Sequence, residues 1–290
     1  MTETSVVTPA SPVCVVALDL DHTVLDSKRR VPDAVRAGIH RVREAGAIVV
    51  LASGRSPSAM RTVVRELGPD TEFAICYGGA WIGDVGIRDG DSRPRFEEHR
   101  VPVDVARNAV AAAQARGLDI GWYVGETVYL DGPSHFFTRE LASTGEAAQY
   151  ADFAGLPAPH KLLAVRHRDQ DVAILTDMID ELRGQCDATF IFDWLVELWP
   201  PGVSKATGLA EFCRALGIGL DRVAAIGDSE NDLEMIREVG LGIAMGNAIS
   251  AVKDAARWTT LSHDEAGVAV AIDRMFSEGL VVPVPSMARR

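Results

Sequence analysis

Every residue from Val13 to Leu18 is apolar, and the run ends at Asp19. A short apolar run without alternation predicts a strand buried on both faces, as in a parallel sheet. Pro32 then opens a helical pattern with Val35, Ile39 and Val42 on one face, closed by Gly46. Ala47–Ala52 repeats the buried-strand pattern and runs into Ser53-Gly54-Arg55. Pro57 opens a second helix, with Met60, Val63, Val64 and Leu67 apolar and Gly68 as its stop. Phe73–Cys76 is a short third strand that ends at Tyr77-Gly78-Gly79. Strands alternating with helices predict right-handed crossovers and a doubly wound, Rossmann-like parallel sheet in an α/β fold.

The same texture returns late in the chain. Ser204–Leu216, Asn231–Val239 and Glu265–Phe276 carry helical patterns, and Arg222–Ile226 and Leu241–Ala244 carry strand patterns. Between them the character changes. Asp84–Pro94 is rich in Gly and charge and reads as a linker or hairpin. Asp104–Arg116 is an alanine-rich helix, Ile120–Val124 and Thr127–Leu130 form strands about a turn at Gly125-Glu126, and Gln170–Arg183 is a further helix. Lys161–Arg166 and Thr189–Trp199 are further strand candidates, and Pro200-Pro201-Gly202 punctuates the return. The expected organisation is a loose tail at 1–12, a discontinuous core at 13–83 and 200–290, and an inserted α+β domain at 84–199. Trp122, Tyr123, His135, Phe136, Phe137 and Trp194 would supply mainly that domain's own core, the remainder facing the site.

Composition narrows the function. The chain has 290 residues, 47% of them hydrophobic and 24% charged, which is a globular balance. Lys plus Arg is 29 against 41 Asp plus Glu, a formal net charge of −12, and there is no basic block. Nucleic acid is therefore not an expected partner, because its binding rests on phosphate neutralisation. Thr4–Leu18, the longest stretch without a charge, contains Pro9 and Pro12 and is too short to span a bilayer. With no basic-then-apolar leader the expectation is a cytoplasmic protein without a membrane partner. Cys14, Cys76, Cys186 and Cys213 lack zinc-ligand spacing and read as buried free thiols.

Ligands of open parallel sheets sit outside the carboxyl ends of the strands. The polar residues there are Asp19 and Asp21, Ser53, and Asp228 with Asn231 and Asp232, with Lys205 nearby. Carboxylates crowded at one edge repel unless a cation holds them, and oxygen ligands select a hard divalent ion, Mg²⁺ above all. A lysine and a hydroxyl beside such a metal make an inventory for phosphoryl transfer.

DLDHT at 19–23, SGR at 53–55, PGVSK at 201–205 and GDSENDLEMI at 227–236 resemble the four ordered motifs of the haloacid dehalogenase-like hydrolases. The insertion between the second and third motifs, with GIAMGNA at 242–248 and DEAGVA at 264–269, resembles the Cof-type subgroup of small-molecule phosphatases. The resemblance implies a strand order of 5-4-1-2-3 and a cap domain over the core. It implies that Asp19 is the nucleophile and Asp21 the general acid and base, with Mg²⁺ on Asp19, the Asp21 backbone carbonyl and Asp228. Ser53, Gly54, Lys205 and Asn231 would bind the phosphate of a small phosphorylated metabolite, and Asp232 would orient a metal-bound water or Lys205. A phosphomutase, or a non-catalytic ligand sensor on the same fold, are the alternatives. Two positions depart from the pattern: His22 stands where Gly is usual, and Gly78 where Asn is usual.

Overall fold

The computed structural model describes residues 12–68, 73–86 and 95–285. The expected N-terminal tail, up to residue 11, and most of the Asp84–Pro94 linker lie outside the described residues. The chain runs through β1 (Val15–Asp19), α1 (Asp33–Glu44), β2 (Ile48–Ala52), α2 (Pro57–Leu67), β3 (Phe73–Cys76), β4 (Trp81–Asp84) and β5 (Arg95–Glu98). Next come α3 (Val103–Ala115), β6 (Asp119–Val124), β7 (Thr127–Leu130), α4 (His135–Thr144), β8 (Ala148–Tyr150), β9 (Lys161–Val165), α5 (Ala173–Glu181), β10 (Asp187–Phe192) and β11 (Leu195–Trp199). It closes with α6 (Lys205–Ala215), β12 (Val223–Gly227), α7 (Leu233–Glu238), β13 (Leu241–Ala244), α8 (Ser250–Ala255), β14 (Trp258–Thr259) and α9 (Gly267–Ser277).

These elements form two compact units, one of residues up to Ala52 together with those from Leu209, the other Ser53–Gly208. In the first unit the strand order is β14-β13-β12-β1-β2, and every neighbouring pair is parallel. β1 is buried along its whole length, which is why its sequence is apolar without alternation. Helix α1 packs on α9, where Gly38 lets Ile272 approach: a Cβ there would lie 3.2 Å from its Cδ1. The α/β doubly wound fold is the one expected.

The second unit holds an antiparallel run β3-β4-β5 and a six-stranded sheet in the order β10-β11-β9-β6-β7-β8. That sheet is antiparallel except for the β7–β8 pair. One of its faces buries Ile120, Trp122, Leu162, Val196 and Leu198 against the apolar stripes of α3 (Ala106, Ala109, Ala113) and α5 (Leu175, Met178). Trp122 is fully buried, stacks on Phe153, and donates its indole N–H to the Pro157 carbonyl at 3.0 Å. The four cysteines are free and buried, and burial pushes the Cys213 thiol up to about 12. Among the described residues no helix is long and apolar enough to cross a membrane.

Several elements differ from expectation. Thr189–Trp199 is not one strand but the β10–β11 hairpin, folded back after Phe192 with a register shift between Phe190 and Phe192. Asp193 is the sole polar turn former in that stretch, so the apolar pattern runs through the turn almost unbroken. Asn231–Val239 begins as a tight 3-10 turn at Glu230–Asp232, because Ser229 and Asp232 cap it reciprocally before α7 starts. Helix α4 had no counterpart in the sequence pattern. Its caps, Ser134 accepting from Phe137 N–H and Gly145 at φ +76°, bracket an aromatic start that carries no clear period.

Gly79 shows how tightly the second unit is built near the start of α6. Its φ is +121°, and a Cβ there would sit 2.2 Å from the Ser204 carbonyl oxygen, a backbone atom with no freedom to retreat. Gly79→Ala should therefore cost at least about 2 kcal/mol, from positive-φ strain plus the clash. Urea denaturation should show the midpoint falling at an unchanged slope; an unshifted midpoint would contradict this packing.

Candidate active site

Strands β1 and β12 are parallel neighbours in register Leu18↔Ile226. Asp19 ends the one and Asp228 follows the other, so the ladder alone brings both to the carboxyl edge of the first unit's sheet. Asp19 is 4% exposed. After it the chain makes a tight turn over Leu20–Val24, in which Asp21 is extended and His22 takes φ +61°. Carboxylate oxygens of Asp19, Asp228 and Asp232 all lie within 4.8 Å of one another.

Each member of this group has its own support. Asp232 is fully buried, and its Oδ2 accepts from the N–H groups of Asp228 and Ser229, both at 3.0 Å, and from the Ser229 hydroxyl at 3.2 Å. It thereby shapes the loop that presents Asp228. Gly227 makes room for it, since a Cβ there would lie 2.5 Å from the Asp232 carboxyl carbon. Asp228 accepts from Asn247 Nδ2 at 3.2 Å and, weakly, from the Thr23 hydroxyl at 3.4 Å. Asn247 also donates to the His22 carbonyl at 3.0 Å, and its Oδ1 accepts from His263 N–H at 3.0 Å. Asn231 turns its Oδ1 to the Ser229 hydroxyl at 3.0 Å. Thr23 closes the DLDHT motif and Asn247 lies within the GIAMGNA stretch, so both could have been singled out.

The donor set fits a divalent cation. Three carboxylates so close repel one another strongly, and a hard cation with all-oxygen ligation is the chemistry that relieves this. Asp21 contributes no carboxylate to the group and stands half-buried beside it in sequence.

The second unit contains Ser53, Gly54 and Lys205. Ser53 is 3% exposed; its N–H donates to the Ile75 carbonyl and its carbonyl accepts from Gly78 N–H, each at 2.9 Å. The Arg55 N–H donates to Ser53 Oγ at 3.2 Å, and the Arg55 carbonyl accepts from Tyr77 N–H at 3.0 Å. The Ser53-Gly54-Arg55 turn is thus laced to the end of β3. Lys205, 3% exposed, opens α6 immediately after Ser204, whose carbonyl packs on Gly79. Ser53 and Lys205 are in this way drawn to the same strand end.

Tyr77 takes φ +52°, stacks on His160 with centroids 5.3 Å apart, and donates its hydroxyl to the Gly125 carbonyl at 2.9 Å. Burial above all, and then the Glu146 carboxylate, push its phenol well above the ordinary range, so it stays a neutral donor. At Gly78 (φ +62°) the Trp199 ring occupies the space a side chain would need: a Cβ there would lie 3.3 Å from the ring. The Trp199 ring therefore stands where an Asn side chain would project. Of the aromatic residues singled out, Trp122, Tyr123 and Phe137 are buried, while His135, Phe136 and Trp194 line a cavity of about 660 Å³ with Arg139 and Arg168.

The chain is similar along most of its length to known proteins. The family model of the haloacid dehalogenase-like hydrolases matches residues 16–272. The chain is 28% identical over 259 residues to the 5-amino-6-(5-phospho-D-ribitylamino)uracil phosphatase YcsE of Bacillus subtilis, covering 89% of this chain and 93% of that one. It is 28% identical over 261 residues to the pyridoxal phosphate phosphatase YbhA of Escherichia coli, covering 82% and 90%. A haloacid dehalogenase-like hydrolase from Bacteroides thetaiotaomicron superposes with a TM-score of 0.81 at 31% identity, covering 91% of this chain and all of that one. The chain belongs to the haloacid dehalogenase-like hydrolases.

His22 provides a local test of the turn after Asp19. Its ring lies edge-on to His263, centroids 5.1 Å apart, but its backbone is left-handed, where a residue with a Cβ is strained. His22→Gly should raise the unfolding free energy by up to about 1 kcal/mol, the relief of strain being partly offset by the greater freedom of Gly when unfolded. Guanidinium titration would read this directly, and a destabilised variant would mean that the ring contact outweighs the strain.

Proposed function

We propose that this haloacid dehalogenase-like hydrolase is a Mg²⁺-dependent phosphatase of a small phosphomonoester, a sugar phosphate or a phosphorylated cofactor, working through an aspartyl-phosphate. The observation that carries the reading is the carboxylate group at the ends of two adjacent parallel strands, Asp19 and Asp228, with Asp232 beneath the loop. The relatives named above act on a phosphoribityl compound and on pyridoxal phosphate, both small phosphate esters, which supports the substrate class.

Asp19, the backbone carbonyl of Asp21 and Asp228 would hold the ion, which when bound supplies positive charge against the phosphoryl oxygens. The chain's own groups perform the transfer. Asp19 attacks phosphorus through a carboxylate oxygen as the bond to the leaving oxygen breaks, and Asp21 gives that oxygen its proton. Asp21 then takes a proton from the water that attacks phosphorus, which frees Asp19 and releases phosphate. Ser53, with the Gly54 turn, Lys205 and Asn231 hold the phosphoryl oxygens, so that much of the rate comes from positioning and charge. Asp232 keeps Asp228 in place through the loop N–H groups. Residues 84–199 act as the cap that selects the leaving group, with the core at 13–83 and 200–290.

Asp19→Asn retains the shape of the side chain and removes the nucleophile. Phosphate release from a panel of phosphomonoesters should fall by several orders of magnitude while the variant still melts cooperatively. Near-normal turnover in that variant would rule out the aspartyl-phosphate route. Removing divalent ions with EDTA should abolish wild-type turnover and Mg²⁺ should restore it, whereas Ca²⁺, which favours more ligands and looser geometry, should restore it poorly. Full activity in EDTA would exclude the metal.

A further inference from the structure

We infer that Lys161, paired with Glu197, is a positioning residue for the Ser53 hydroxyl, acting through the peptide group between Gly54 and Arg55. This rests on the phosphatase reading, in which Ser53 holds a phosphoryl oxygen. Lys161 opens β9, and its side chain is 6% exposed. A lysine so deeply buried needs a charge partner and filled donor sites. Its ammonium lies 2.7 Å from Glu197 Oε1 on neighbouring β11 and 2.9 Å from the carbonyl oxygen of Gly54. The rings of Tyr123 and Trp199 stand 4.9 and 5.1 Å from it, within cation–π range, and help to bury the ammonium.

The position of the Gly54 carbonyl matters because a peptide group is planar. Its C=O and the Arg55 N–H belong to one rigid unit and point in opposite directions. Lys161 grips the oxygen end, and the nitrogen end donates to Ser53 Oγ at 3.2 Å. Fixing the plane therefore fixes the direction from which Ser53 Oγ accepts. A hydroxyl that accepts from a backbone N–H keeps its own proton to donate elsewhere. The chain of contacts from β9 to Ser53 thus orients that proton outward, toward a bound anion. The Ser53 and Arg55 carbonyls are tied separately, to Gly78 and Tyr77 N–H, so the 54–55 peptide is the part of the turn whose carbonyl is left to a side chain.

A double-mutant cycle separates this role from leaving-group contact or general packing. Acetyl phosphate is the substrate, chosen because its leaving group is too small to reach a specificity pocket, and inorganic phosphate is the competitive inhibitor. Lys161→Met should lower kcat/KM and raise the inhibition constant for phosphate by roughly tenfold each, the scale of one charge-assisted hydrogen bond. Ser53→Ala should show a comparable loss. In the Ser53→Ala background, Lys161→Met should cost less than twofold more, since the group it positions is gone. Lys161→Arg, which keeps a charged donor, should recover most of the loss. Because Lys161→Met strands the Glu197 carboxylate, the pair Lys161→Met with Glu197→Gln is measured beside it and should behave alike. Full multiplicative losses in the double variant, or an unchanged phosphate constant in Lys161→Met, would overturn the proposal. Failure of the phosphatase reading itself would appear differently, as no phosphate release from the wild-type protein.

Discussion

The arrangement of this protein turns on one electrostatic constraint: carboxylates are held within a few ångströms of one another at the edge of a parallel sheet. Parallel pairing of β1 with β12 makes the juxtaposition unavoidable, because residues that end adjacent parallel strands in register must be neighbours. Like charges at that spacing oppose folding unless something holds them. Part of the answer is internal. Asp232 spends an oxygen on two loop N–H groups and a hydroxyl, and Asn247 holds Asp228 while tying the His22 carbonyl to the 263 loop. On the proposed reading a divalent cation would supply the rest, and its charge would then serve phosphoryl transfer, so that stability and chemistry in the first unit would draw on one site.

The second unit meets a different constraint, that of bringing backbone segments very close. Gly79 admits the Ser204 carbonyl, Gly208 admits Ile75, and Gly78 lies under the Trp199 ring. These approaches leave little room for rearrangement around the Ser53 turn. Polar groups on the outer side of the turn region are matched as carefully: Glu146 accepts from the Ser56 and Ser58 hydroxyls, Glu126 pairs with Arg61, and Tyr77 bonds Gly125. Such contacts tie α2, the turn before it and Tyr77 to the β6–β7 turn and to the loop after α4.

Much of this was legible in the sequence because β1 and β12 are short, buried and apolar and run into Asp19 and Asp228, so their position and their chemistry are written in neighbouring residues. Asp19 and Asp228 could be placed from pattern alone, and Asp232 with them. What escaped was set by contacts distant in sequence. Lys161 begins an ordinary apolar strand, and only the β9–β11 pairing shows that Glu197 neutralises it. The roles of Thr23 and Asn247 depend on the 20–24 turn meeting the loop after β13. Helix α4 and the break between β10 and β11 were hidden because aromatic residues suit either structure and leave periodicity ambiguous. His22 departs from the family pattern in the sequence itself, and its positive φ explains why Gly suits that place.

A cation held at Asp19 and Asp228, above the buried Asp232 carboxylate, would relieve a repulsion that burdens the metal-free protein. Calorimetric melting of the wild-type chain in EDTA, followed by titration with Mg²⁺ in the absence of any phosphate ester, tests it without relying on turnover. The melting temperature should climb with Mg²⁺, by the equivalent of about 2.7 kcal/mol once the ion reaches one hundred times its dissociation constant. Melts that superimpose at every Mg²⁺ concentration would contradict it.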